Sequence, residues 1–192
     1  MGRVSQAQAE ENRKRVVESA SRLFREQGTQ VSVADLMKAA GLTHGGFYKQ
    51  FSSKEALIGE ATAHAFDELT EGRGARLDES GGERAAAQKA LIDLYLSTAH
   101  RDSPANGCPA AALASDMARE PGEGEARRVY TEGVRDFARW LDTDDTDDTD
   151  GTDGLTRLAT MVGALVLARA TNGSPLSEEI LTAARSALTG TA

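Results

Sequence analysis

Aromatic residues are scarce in this chain, with five Phe, three Tyr and one Trp among 192 residues, and there are only four Pro. With abundant Ala, Leu, Arg and Glu, that composition leans toward an all-α fold. The single Cys108 excludes an intrachain disulfide and fits a reducing, cytoplasmic setting. No apolar run reaches the roughly 18 residues of a membrane-spanning helix, and the polar start of the chain lacks the apolar core of a signal peptide. The three His are scattered, with no H-E-x-x-H or C-x-x-C spacing. Neither G-x-S-x-G, a P-loop nor a dinucleotide fingerprint occurs. His64 and Asp67, three apart on a helix, fit a surface pair better than a catalytic one. The expectation is therefore a protein that is not an enzyme, with no catalytic residues, no metal site and no cofactor.

The formal net charge is −8, which alone argues against nucleic acid, but it is unevenly spread. Residues 1–55 hold nine Lys and Arg against six Asp and Glu, and the remainder holds thirteen against twenty-four. A basic head on an acidic body is the asymmetry expected where one end meets phosphate.

That head contains the most informative stretch, SVADLMKAAGLTHGGFYKQFSSKEAL, from Ser32 to Leu57. Ser32 and Asp35 have capping-box spacing and open a short helix with Val33, Leu36, Met37 and Ala40 on one face. Gly41 ends it. Thr43 can cap a second helix carrying Phe47 and Phe51, and Ser52 with Glu55 reads as a second capping box that starts a longer helix. Helix, tight turn, helix is the layout that sets a second helix into the DNA major groove. Two glycines in that helix, Gly45 and Gly46, are costly there and suit close approach to a duplex.

The run AAGLTHGGFYKQFSSKEAL resembles the helix-turn-helix signature of the TetR family of bacterial transcriptional regulators, over about the first 60 residues. The resemblance implies a three-helix DNA-binding head followed by a helical body for effector binding and dimerisation. It divides the chain at residues 1–55 and 56–192. It implies phosphate contacts from Thr43, Tyr48 and Lys54, and base-edge contacts from His44, Gly45 and Lys49, with Ser32 also on the DNA side. Left to the residues alone, Tyr48 also fits half-buried packing, Lys54 a solvated lysine and His44 an exposed position near a cap. The partners implied are a double-stranded DNA operator, a small-molecule effector and a second copy of the chain, with no membrane. The output implied is repression relieved by the effector. A DNA-bound scaffold for a protein partner stays open.

Along the rest of the chain, residues 1–9 read as polar and mobile. Glu10–Gln27 reads as a helix with Val16, Val17, Ala20, Leu23 and Phe24 on one stripe, closed by Gly28. Arg3, Arg13, Lys14 and Arg15 fit phosphate contacts or a solvated basic face equally. A connecting helix runs from Ser53 to about Glu71, and Gly72, Gly74, Gly81 and Gly82 mark a flexible link. Helices follow over Glu83–His100, Ala110–Arg119, Glu123–Leu141, Leu155–Ala170 and Ser177–Leu188. All four prolines, Pro104, Pro109, Pro121 and Pro175, stand at junctions, where a missing N–H costs least.

Residues 142–154 are an Asp/Thr repeat that fails the calcium-loop pattern, with Thr146 at the first ligand position and Arg157 at the twelfth, and read as an acidic flexible linker. Leu155–Ala170 is apolar on more than one face; with the last helix it is the dimer interface the resemblance implies. Tyr95, Met117, Tyr130, Phe137 and Trp140 are large groups that fit either plain core or an effector site. Cys108, at the start of a helix, fits a buried cysteine. It also fits an activated thiol, since a helix N-terminus lowers a thiol's pKa, and the run from Gly107 through Cys108 and Pro109 to Leu113 resembles a branch of the family in which a cysteine senses electrophiles or oxidants.

Overall fold

The computed structural model describes residues 6–120, 124–143 and 152–190, and among these there is no strand. The helices are α1 (Gln6–Gln27), α2 (Val33–Ala39), α3 (Lys54–Glu79), α4 (Arg84–Tyr95), α5 (Thr98–Arg101), α6 (Pro109–Arg119), α7 (Glu125–Leu141), α8 (Thr152–Ala170) and α9 (Pro175–Thr189). Two 3-10 segments, His44–Lys49 and Pro104–Asn106, complete the order. No described helix is long and apolar enough to cross a membrane.

The first three helical segments close on one stripe of α1. Val16, Ala20 and Phe24, four residues apart, are buried against Leu36, Met37, Phe47, Phe51 and Leu57. α1 ends at Gly28, whose φ of +80° is open to glycine at little cost. The Ser32 hydroxyl caps α2 by accepting the Asp35 N–H at 3.2 Å and donates to the Asp35 carboxylate at 2.6 Å. α2 ends at Gly41 (φ +70°), where the Gly41 and Leu42 N–H groups return to the carbonyls of Lys38 and Met37, as in a Schellman motif.

Several local expectations shift. α1 starts at Gln6, so residues 6–9 are helical; Arg3 lies outside the described residues. The segment after the turn is 3-10 rather than α-helical, and Thr43 makes no side-chain cap there. α3 is capped by Ser53, not Ser52, through the Ala56 N–H at 3.1 Å. It also runs unbroken through Gly72 and Gly74 to Glu79, about 39 Å at 1.5 Å per residue. The turn lies instead at Gly81 and Gly82, both with positive φ. The helix expected over Glu83–His100 breaks at Leu96, and Ser97 caps the short α5 through the His100 N–H.

α8 starts at Thr152, so the last three residues of the acidic repeat are helical. Gly154 is buried where a Cβ would overlap the Ala138 carbonyl. Residues 144–151 lie outside the described residues.

A second core holds the body together: Leu91, Ile92 and Tyr95 of α4, Phe137 and Leu141 of α7, and Leu158, Met161 and Leu165 of α8. The two cores are not sealed from each other by α3 alone. Leu113 and Met117 of α6 and Ala126 of α7 belong to the head's cluster. Two polar ties reinforce that sharing. The Thr29 N–H donates to Asp116 at 3.0 Å. Arg25, nearly fully buried, donates to the Gly107 carbonyl at 3.2 Å and to Glu68 at 2.7 Å.

Candidate functional site

The turn between α2 and α3 presents a continuous exposed surface. Phe47 is fully buried and stacks on Phe51 with ring centroids 5.5 Å apart, which fixes the 3-10 segment to the head core. Its neighbours are thereby forced outward: Thr43, His44, Gly45, Tyr48 and Lys49 are all exposed. Tyr48 is 71% exposed, an unusual state for an aromatic side chain, with its ring edge-on to Phe47 at 5.1 Å. A Cβ at Gly45 would meet nothing within 4 Å, so no packing inside the protein demands glycine there. Lys54 is half-buried in the first turn of α3, and Ser32 is exposed with its hydroxyl engaged in the α2 cap.

The basic residues of α1 divide. Arg13 donates to the Gln50 carbonyl at 2.6 Å, forms an ion pair with Glu60 and lies 4.4 Å over the Phe51 ring. It fastens α1 to α3 instead of standing free. Lys14 pairs with Glu18 at 3.7 Å, and Arg15 donates to Asn12 at 2.7 Å.

The body contains a cavity of about 450 Å³, bounded by the end of α1, the middle of α3, the end of α4, α5 and the start of α6. Of the six candidate effector residues, Tyr95 and Cys108 line it. The other four are elsewhere. Phe137 is fully buried behind Tyr95, with ring centroids 6.4 Å apart. Tyr130 donates its hydroxyl to the Ala110 carbonyl at 2.7 Å. Trp140 lies against the guanidinium of Arg73, which is itself paired with Asp136. Met117 is buried in the head's cluster.

Residues that the sequence did not single out complete the wall: Arg25, Glu68, Leu69, Arg76, Leu91 and His100. His100 is held on both nitrogens. Its Nδ1 lies 2.8 Å from the Tyr95 carbonyl, and its Nε2 lies 3.2 Å from the Cys108 N–H. A carbonyl can only accept and an amide N–H can only donate, so the ring is the neutral Nδ1–H tautomer. Burial lowers its pKa in the same direction. Gly107 sits in a crowded spot, where a Cβ would press on the Pro104 carbonyl at 3.1 Å and His100 Nε2 at 3.2 Å and would push the Arg169 guanidinium aside. Arg169 in turn holds α5 by donating to the Arg101 and His100 carbonyls.

Of the two readings of Cys108, the structure fits the buried cysteine. It is 4% exposed, and burial pushes its pKa up; the Tyr95 hydroxyl and the Ala111 and Ala110 N–H groups oppose that shift without overcoming it. Desolvation of a thiolate outweighs the favourable end of α6. Tyr95 is raised well above the ordinary phenol range by its own burial. Among the described residues no cluster of His, Cys, Asp or Glu could hold a metal ion.

Residues 16–61 match the family described as bacterial regulatory proteins, tetR family. The HTH-type transcriptional regulator AcrR of Shigella flexneri is 38% identical over 61 residues, which is 31% of this chain and 28% of that protein. That match spans under a third of its length. Along nearly the whole chain the fold is that of solved regulators. E. coli NemR in its reduced form aligns with a TM-score of 0.76 at 18% identity, over 94% of this chain and 96% of that one. A TetR transcriptional regulator from Chloroflexus aurantiacus J-10-FL aligns with a TM-score of 0.74 at 24% identity, over 96% of each chain. The head, residues 16–61, thus matches the tetR family of bacterial regulatory proteins in sequence, and the chain as a whole shares the fold of solved TetR-type regulators.

Proposed function

We propose that this protein is a transcriptional regulator that binds a near-palindromic DNA operator as a homodimer, represses by occupying it, and is released by a small molecule bound in the body. The carrying observation is the coincidence of the matched head with an exposed turn that offers Thr43, His44, Tyr48 and Lys49 on one surface. Tyr48, Thr43 and Lys54 contact phosphates; His44, Gly45 and Lys49 face base edges, where the missing Gly45 side chain lets the backbone approach. Ser32 caps the helix beside them. The head comprises residues 1–55 and the body residues 56–192.

Dimerisation is supported by an uncovered apolar stripe on the last two helices. Leu155 (53% exposed), Val166, Leu167 and Leu176 are large apolar side chains in water, and Leu155, Ala159, Val162 and Val166 recur at helical spacing along α8. A two-fold pairing across this stripe would present two heads to two half-sites. The body cavity, lined largely by apolar side chains, supports the small-ligand reading. Burial of Cys108 disfavours a sensor thiol.

A selection of genomic fragments by the purified full chain tests the reading. Retention of one inverted repeat, by a species that sediments as a dimer, supports it. Retention of DNA without sequence preference, lost steeply with salt, would overturn it.

A further inference from the structure

The cavity carries a chemical bias that its fold does not require. Much of its wall is hydrocarbon, from Ala65, Leu69, Leu91, Leu94 and Pro109. Tyr95 also lines the cavity, but its hydroxyl is buried beside the Cys108 thiol and does not reach the void.

The charges on the wall do not cancel. Arg25 and Glu68 neutralise each other at 2.7 Å, and His100 is neutral with both nitrogens engaged. Arg76 donates to the Gly72 carbonyl at 2.7 Å and, among the described residues, pairs with no carboxylate. A guanidinium is always charged and is shaped to grip a carboxylate with two parallel bonds. A cationic ligand would find no unpaired anion here.

We propose that the cavity takes an apolar carboxylate, its hydrocarbon packed on Leu69, Leu91 and Leu94 and its carboxylate paired with Arg76. The assignment deepens the regulator reading and rests on it for its biological consequence, but the binding is measurable without DNA.

The test uses calorimetry on the full chain with three probes: phenylvalerate, its neutral primary amide and its amine analogue. Phenylvalerate should bind best, with the amide weaker by about tenfold, the loss expected for one charge-assisted hydrogen bond. Arg76→Gln should erase the difference between acid and amide, and Arg76→Lys should restore part of it. Circular dichroism melts check that each variant is folded. Tighter binding of the amide or amine, an acid preference that survives Arg76→Gln, or no binding by any probe would overturn the assignment. Operator binding by the ligand-free protein decides the regulator reading separately, so either can fail alone.

Discussion

Gly133→Ala sets two forces against each other at the crossing of α3 and α7. Gly133 lies mid-helix in α7, where glycine is about 1 kcal/mol worse than alanine, so propensity alone favours the substitution. Space forbids it. A Cβ would sit 2.5 Å from Phe66 Cδ1 and Cδ2, far inside van der Waals contact. The ring cannot swing aside cheaply: Phe66 is 7% exposed and packs edge-on to Tyr130 at 5.9 Å, and Tyr130 is pinned to the Ala110 carbonyl. Overpacking costs about 1–3 kcal/mol, and overlap with a ring held on both sides belongs at the upper end, so the net loss should be about 1–2 kcal/mol. Gly74→Ala is the control. It too is mid-helix, in α3, with nothing within 4 Å of the added Cβ, and should gain about 0.5–1 kcal/mol. Urea unfolding at one fixed protein concentration measures both, which keeps any dimer contribution constant. Equal gains in the two variants would refute the reasoning, because propensity would then have outweighed the crossing.

On the head, Tyr48→Phe and Lys54→Ala should weaken binding to every DNA sequence, as loss of phosphate contacts does, and Lys54→Ala, which also removes a cation, should flatten the salt dependence; a change of preference at single bases would contradict that role. Lys49→Ala should alter preference at one operator position by about 1–3 kcal/mol, read by competition between operator variants, and a uniform loss would sink its base-reading role. The Cys108 thiol should react with a thiol reagent at neutral pH far more slowly than a free cysteine peptide, since burial has moved its pKa upward and little thiolate is present. Its rate should rise as pH is raised toward that pKa. Labelling as fast as the peptide would mean that the native site opens.

The head was legible because its signals are local. Ser32 with Asp35, Gly41 and the Phe47–Phe51 pair lie within a few residues of their partners, and the structure gives each the expected place. Where two adjacent residues offered the same chemistry, spacing misjudged the register: Ser52 and Ser53 both can cap, and Ser53 does. Gly72 and Gly74 read as a break, yet tertiary packing of Phe66 and the nearly buried Arg73 carries α3 past them. The cavity was far less legible. Met117 and Phe137 carry the same apolar chemistry as a binding site but are plain core. The residues that charge the wall, Arg25, Glu68 and Arg76, look in sequence like ordinary surface ions. No local pattern marks His100 either, because its two partners come from the Tyr95 carbonyl and the Cys108 N–H on either side of a helix break.

The same residues bear on how the proposed regulator could connect its two ends. A ligand can shift an equilibrium only by interacting differently with two states. Filling the cavity touches groups already committed to the head: Glu68 and the Gly107 carbonyl both hold Arg25, which sits at the end of α1. α6 spans the remaining distance, with Cys108 at the cavity end and Asp116 on the Thr29 N–H at the other, while Leu113 and Met117 between them are part of the head's core. With so much core shared, loosening the head inside the chain would expose Leu36, Met37 and Phe47, an apolar cost a small ligand cannot offset. Tilting the head as one piece with α1, α6, the start of α7 and the first half of α3 preserves those contacts and changes where the turn at Thr43–Lys49 points. In a dimer joined at α8 and α9, such a tilt alters the distance between two heads without disturbing either one.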